Sequence, residues 1–549
     1  MEFDYIIVGA GSAGCVLANR ITEDGKSSVL VLEAGGKDNS IFIKMPAALA
    51  YPLNGTKYNW AYYSEPEPFL GGRKMYCPRG RVLGGSSSVN GMAYVRGHAK
   101  DYDRWASYGL TGWDYASILP YFKKSENREL GADDYHGENG PLNVHRLPMD
   151  NPLHQAWLKA GEQAGVGLTD DQNGYRQTGN GPMDTTIKGG ERMSTARAFL
   201  KPVMKRKNLE IKIKALVTKI RIEDGRAVGL DFTVGGAKQT ATARKEIILS
   251  AGSINSPQML MLSGIGPAKH LREHGIDVVV DSPDVGGNLQ DHLEVYTQYK
   301  CTKPVSIYSL TKPLATMRVG LQWLLSRSGP GASCQFETGG FASISEASGH
   351  PDIQWHFLPI AVDYDGKNPV REHGFQAHVG PMRPKSRGRI SLRSANHTDT
   401  PKILFNYLEA EEDRAEFRAG LQLTRKIISQ PAFDDFRGDE IQPGADKTSD
   451  DEIDAFVRAR VESAYHPVGT CRMGTDDRSV VDAEGRVRGV EGLRVVDASI
   501  MPDITSGNTN APTIMMAEKL ADSIRGLKPA TPINALVYSS NAQNLQNHQ

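Results

Sequence analysis

Cysteine is scarce in this chain: Cys15, Cys77, Cys301, Cys334 and Cys471 are the only five among 549 residues. They are odd in number and scattered, and no two form a CxxC pair. That pattern argues against a disulfide framework and against a thiolate zinc site; it points to reduced thiols in a cytoplasmic protein. An excess of one charge is also missing. Lys plus Arg and Asp plus Glu number 64 each, so no strongly basic field exists to draw in nucleic acid or an anionic membrane. No uninterrupted apolar run reaches the roughly eighteen residues that a membrane-crossing helix needs. The opening Met1-Glu2-Phe3-Asp4 lacks the basic region of an export signal. A soluble protein is expected, with at most a loose hold on a membrane surface. Internal repeats are absent, no metal-ligand cluster stands out, and the length fits two or three interleaved domains rather than one core.

What is present begins at once. Phe3-Asp4-Tyr5-Ile6-Ile7-Val8 reads as a short apolar strand and runs into Gly9-Ala10-Gly11-Ser12-Ala13-Gly14. A strand that turns sharply into a helix needs Gly9 for the turn and Gly11 for close approach of a pyrophosphate. Gly14 lets the helix sit close to the strand. The helix amino terminus supplies N–H groups and partial positive charge to the phosphates, with Ser12 and Ala13 in its first turn. A second strand, Ser28 to Leu32, ends in Glu33, whose carboxylate suits two ribose hydroxyls and would repel a 2′-phosphate. The motif selects a dinucleotide but leaves FAD and NAD both open.

Farther on, Ile41 to Asp114 is rich in Gly, Pro and aromatics and should be loops and short helices. Pro152 to Ala164 is amphipathic. Alternation from Leu209 to Ile222 and from Gly225 to Asp231 predicts a β-meander. Lys245 to Ser250 is a buried-type strand ending in Ala251-Gly252, which fits a return to the first sheet. From about 300 to 455 the pattern changes to strand-like pieces (Asp352–Leu358, Gly374–Val379, Gly388–Arg393) and a helix, Ala410 to Ile428. A second sheet covering one side of the cofactor domain is expected. Leu493 to Val496 reads as a strand, Ala511 to Arg525 as the last helix, and the polar tail beyond about Lys528 as disordered.

Two further glycine segments carry a resemblance. Gly80-Arg81-Val82-Leu83-Gly84-Gly85-Ser86-Ser87-Ser88-Val89-Asn90 resembles the first signature of the glucose–methanol–choline (GMC) oxidoreductases. Gly252-Ser253-Ile254-Asn255-Ser256-Pro257, running to Ser263-Gly264-Ile265-Gly266, resembles the second. Tyr465-His466-Pro467 and Asn508-Thr509-Asn510-Ala511-Pro512 complete a likeness that spans residues 3 to about 526. It implies an α/β (α+β overall) fold: a Rossmann-like FAD-binding domain with an inserted substrate domain on a mainly antiparallel sheet. The division expected is 1–155, 195–300 and 458–527 for FAD, and 156–194 and 301–457 for substrate, with 528–549 as tail. Cofactor contacts implied are Gly9, Gly11, Ser12, Ala13, Gly14, Glu33, Ala34, Arg81, Gly84, Gly85, Ser86, Asn90, Gly91, Val217, Ala251, Gly252, Asp497 and Ala498. Some members attach FAD covalently through a histidine of the first signature. Val89 stands there in this chain and has no nucleophilic atom, so non-covalent FAD is expected.

Oxidising a primary alcohol requires removal of the hydroxyl proton and of a hydride. Neutral imidazole suits the first task. By resemblance His466 is the base and Asn510 its partner, donating to the substrate oxygen. Met45-Pro46-Ala47, Tyr58-Asn59-Trp60, His356-Phe357-Leu358-Pro359 and Glu372-His373-Gly374 resemble the choline-oxidising members, which places His356 in the substrate cavity. A quaternary ammonium has no hydrogen to donate, so aromatic faces and a carboxylate must hold it. Trp60, Phe336 and Tyr465 resemble such aromatic positions, and Glu337 is the nearest acid in sequence. The expected reaction is choline to betaine aldehyde. Another aliphatic or aryl primary alcohol, a family lyase with non-redox FAD, and an NAD enzyme are the alternatives. Oxygen and a quinone-type acceptor, a homodimer, and peripheral attachment to an inner membrane all stay open at this point.

Overall fold

The computed structural model describes residues 1–344, 349–362, 370 and 372–539. The first strand, Glu2–Val8, lies between two parallel neighbours, Val29–Glu33 and the carboxyl half of Ala237–Leu249. Leu209–Ile213 extends the sheet beyond Val29–Glu33, and Leu493–Val495 pairs with Ile247–Leu249, both parallel. Parallel strands buried on both faces read as continuous apolar runs, and Ile6, Ile7, Leu30, Val31, Ile247 and Ile248 are all fully buried. Leu209–Ile213 therefore belongs to the dinucleotide sheet and not to the expected meander. The meander is Ala215–Glu223, Arg226–Val234 and the amino half of Ala237–Leu249. That last strand is long enough, 13 residues, to serve both arrangements.

The second sheet is antiparallel, in the order Arg437–Gln442, Leu293–Cys301, Gly374–Pro381, Ile353–Leu358, Thr338–Ala342, Gly179–Pro182. Leu293–Cys301 lies inside it, so a division at residue 300 would cut a strand of this sheet. The helix Glu411–Ile428 packs on one face through Phe417, Leu421 and Ile428. The final helix, Asn510–Ile524, returns against the first one, Ser12–Ile21, which brings the two ends of the chain together.

The tail departs from expectation as far as residue 539. The Ile533 N–H donates to Ala116 O and the Tyr538 N–H to Tyr175 O, both at 2.9 Å. Arg176 covers the Tyr538 ring at 4.6 Å. These contacts pin a stretch whose composition alone suggested none; residues 540–549 lie outside the described residues.

Candidate active site

Between the two sheets runs a cavity of about 1440 Å³, larger than the range of about 300–1,000 Å³ usual for a small ligand alone. Gly9, Gly11, Ser12, Ala13, Glu33, Ala34 and Val217 form the cradle part of its wall; His356 and His466 stand in another part, and Asn510 where the two meet. Arg81, Gly85, Ser86, Asn90, Gly91, Ala251, Gly252, Asp497 and Ala498 also line it. Of the expected cofactor contacts only Gly14 and Gly84 are off this wall. Gly14 acts from behind, since a Cβ there would meet the Gly9 carbonyl oxygen at 1.9 Å. Gly84 sits in a positive-φ turn and its N–H ties the first signature to Ala10 O at 2.7 Å. A Cβ on the adjoining Gly85 would lie 2.7 Å from the Gly11 Cα, so the signature and the cradle touch backbone to backbone.

These residues fit FAD. Glu33 accepts the Ala10 N–H at 2.9 Å and the Gly35 N–H at 2.7 Å, which fixes its carboxylate at the strand end. Burial pushes its pKa up to about 7 against those two donors. Ser250 also faces the cavity, and its buried Oγ has no partner among the described residues. Asp497 joins the second signature to the C-terminal segment: its Oδ2 accepts the Gly252 N–H at 2.9 Å and the Ser256 hydroxyl at 2.6 Å. Val89 is a buried part of the cavity wall.

Around His466 the hydrogen bonds fix a tautomer. His292 Nε2 lies 2.9 Å from Met382 O, an atom that only accepts, so this nitrogen carries the proton. The lone pair is then on His292 Nδ1, and His466 Nδ1, 3.0 Å away, must be the donor. His466 Nε2 is left unprotonated, 3.1 Å from the Asn508 Nδ2 that donates to it. Gln354 Nε2 donates to Asn508 Oδ1 at 3.3 Å, which agrees with that amide orientation. The backbone is held as well, by the His466 N–H on Asp291 Oδ1 at 2.6 Å. Burial, joined by His292 and His356, holds the His466 pKa well below its ordinary 6.5. Burial likewise takes His292 down to about 4. The imidazole is thus kept neutral with its lone pair at Nε2.

Asn510 shares the wall with His466, but its Oδ1 accepts the Ser12 hydroxyl at 2.8 Å, so it links the catalytic end to the cradle. The amide directly on His466 is Asn508, which the sequence reading passed over; the repeated Asn-x-Asn spacing was its only signal. His292 was missed too, being an isolated histidine on the approach to a strand.

The carboxylate expected at Glu337 is elsewhere. Phe336 lines the cavity; Glu337, the next residue, does not. It accepts from the Ser333 hydroxyl and lies 3.1 Å from His154 Nε2. The acid on the cavity wall beside His356 and His378 is Glu294, whose two oxygens lie 3.1 Å from His378 Nδ1 and 3.7 Å from His356 Nδ1. Burial alone would raise its pKa, but His378 and His356 outweigh that and hold it well below the usual carboxylate range. The sheet register makes this cluster: Tyr296 pairs with His378, and His378 with His356, across three strands. Tyr296 stacks on His378 with centroids 3.8 Å apart, and Phe336 meets His356 edge-on at 5.6 Å. Trp60 is on the wall, yet the Arg81 guanidinium already covers its ring at 4.6 Å. Tyr465, at φ +67°, holds a left-handed backbone position beside the base. Away from the cavity, Asp133, His136 and Asp171 converge, but Arg128 bridges both aspartates at 2.9 and 3.1 Å and supplies the positive charge itself.

Two family models, both described as GMC oxidoreductase, match residues 3–294 and 384–517. The oxygen-dependent choline dehydrogenase of Brucella ovis is 54% identical over 536 residues, 97% of each chain. Pyridoxine 4-oxidase from Mesorbium loti has a TM-score of 0.85 at 33% identity over 96% of this chain and 99% of that one. An FAD-dependent oxidoreductase from Chaetomium thermophilum gives 0.87 at 29% identity, over 95% and 99%.

Proposed function

We infer the reaction from the premise that this chain belongs to the GMC oxidoreductase family: it is an FAD-dependent enzyme that oxidises choline to betaine aldehyde. The observation that carries the choline assignment is the Glu294 cluster. The Glu294 carboxylate, flanked by His378 and His356, faces the cavity where its wall is Phe336, Tyr296 and Tyr465. That combination suits a cation with no hydrogen-bond donor, and the relative's name agrees with it. The same name supports oxygen as the electron acceptor. Oxidation of the aldehyde in turn would give glycine betaine.

FAD, when bound, supplies the acceptor for the hydride from the alcohol carbon. The chain's own residues do the rest. Glu294 and the aromatic side chains hold the trimethylammonium group at one end. His466 Nε2 takes the hydroxyl proton, and the resulting imidazolium shares its Nδ1 proton with His292. The Asn510 Nδ2 group and His356 stabilise the developing alkoxide. His292, anchored on Met382 O, sets which nitrogen of His466 is the base, and so serves as a positioning residue. Trp60, with Arg81 over its ring, is a wall residue rather than a face for the cation.

The test is anaerobic mixing of the flavin-loaded protein with choline. Bleaching of the flavin absorbance with formation of the aldehyde is expected. An unchanged spectrum with choline consumed would mean a lyase, and an unchanged spectrum with no turnover would refute the substrate.

A further inference from the structure

Glu294, Tyr296 and Gln298 alternate along the strand Leu293–Cys301 and so share one face of the second sheet. The register sets Gln376 opposite Gln298 and His378 opposite Tyr296, with His356 beside His378 on the third strand. Gln298, Gln376 and His378 are all buried. A polar column therefore leads from the interior of the sheet to Glu294, and its two glutamines have no part in the chemistry assigned so far.

Backbone atoms, which unlike the two ends of an amide are not interchangeable, fix how the column is protonated. The Val362 N–H can only donate, so the Gln376 atom 2.9 Å from it is the carbonyl oxygen. Gln298 agrees: its Nε2 donates to Val362 O at 2.6 Å and to the same Gln376 oxygen at 2.7 Å. Gln376 therefore turns its Nε2 toward His378 Nε2, 2.6 Å away. An amide nitrogen donates and does not accept, so that ring nitrogen carries a lone pair. The one ring proton is on His378 Nδ1 and points to Glu294 Oε1 at 3.1 Å. A second proton would set N–H against N–H at 2.6 Å in a buried site, with no water to relieve either donor.

We propose that Gln376 is a positioning residue that sets the specificity for a cationic substrate by holding His378 as a neutral donor to Glu294. The neutral ring orients the carboxylate without cancelling its charge. An imidazolium in the same place would form an ion pair with Glu294, and a quaternary ammonium would meet repulsion beside the attraction. The constraint passes from the fixed backbone of Val362 through Gln376 and His378 to the carboxylate on the cavity wall. This inference rests on the choline reading given above.

The experiment compares the wild-type holoenzyme with Gln376→Met, which fills similar space without a donor. Both are assayed on choline and on its uncharged isostere 3,3-dimethyl-1-butanol, from about pH 6 to about pH 9. The base acts on both alcohols, so the ratio of their kcat/KM values cancels its titration. Glu294, Tyr296 and His356 face His378, and Tyr465 and His466 feel the Glu294 charge. These groups are common to both proteins, so each ratio is read against wild type at the same pH. With the opposing amide gone, His378 takes a second proton at low pH. Near pH 6 the variant's preference for choline should be at least about tenfold below wild type, through KM for choline rather than kcat, and should recover as the pH rises. An unchanged preference overturns the proposal. So does a loss that is the same at every pH, which is what mere displacement of the cluster would give. A wild type without preference for choline would refute the substrate reading, and this proposal with it. A second measurement needs no folded Gln376 variant: nitrogen NMR of the histidine-labelled wild-type holoenzyme, with the His378 signals identified by their loss in His378→Gln. One proton, at Nδ1, is expected; a proton at Nε2 refutes the relay.

Discussion

Glu294→Gln removes one charge and almost no volume. The amide oxygen can still accept from His378 Nδ1, now 3.1 Å from the carboxylate, so the cluster keeps its shape. At about 5 Å and an effective dielectric of about 20, a carboxylate and an ammonium attract by about 3 kcal/mol. That is roughly a hundredfold or more, at about 1.4 kcal/mol per factor of ten. The account expects kcat/KM for choline to fall by about this factor. For 3,3-dimethyl-1-butanol, nearly the same shape without the charge, it should hardly change. Steady-state rates with both alcohols give the ratio directly, and the absorbance of bound flavin checks that the variant is intact. An equal loss for the two alcohols would make Glu294 a structural acid. No loss for either would remove it from the site.

His466→Ala should slow choline-dependent flavin reduction at least about a hundredfold with flavin retained; near-normal reduction would move the base elsewhere, His356 being next in line. In the wild type the base works only when neutral, so kcat/KM should fall as pH falls through its pKa. With that pKa held below 6.5 by burial, the profile should be level from 6.5 upward, and an acid limb centred above about pH 7 would contradict the geometry. Acid precipitation should leave the flavin in the supernatant, since Val89 offers no atom for a covalent link; a yellow pellet would show that another residue carries one.

The parts legible in the sequence were those whose residues follow one another. Gly9, Gly11, Gly14 and Glu33 act within one β-α-β unit, so their spacing is their geometry. His466 was singled out only through the resemblance of Tyr465-His466-Pro467 to the family's segment. Glu294 was not, because its role depends on three strands pairing so that Tyr296, His378 and His356 share a row. No local pattern encodes that register. Glu337 was misread for the opposite reason: nearness in sequence to Phe336 does not put it on the cavity wall, and Ser333 and His154 hold it elsewhere. Leu209–Ile213 alternates like a hairpin strand but pairs in parallel with Val29–Glu33, and alternation does not tell the two apart. The stretch 528–539 is held by two backbone bonds, by Arg176 over Tyr538 and by partly buried Ile533 and Val537, contacts that depend on distant residues and that composition cannot reveal.

The central claim is that a positively charged alcohol is the substrate, and the wild-type preference for choline over 3,3-dimethyl-1-butanol tests it most directly. Desolvated cation–π contacts alone are worth about 2 kcal/mol, roughly thirtyfold in kcat/KM, and Glu294 adds to that. The account predicts a preference of at least about thirtyfold for choline. Equal or better turnover of the neutral alcohol would contradict it, leaving the family, the flavin and the base in place but assigning the cavity to an uncharged primary alcohol.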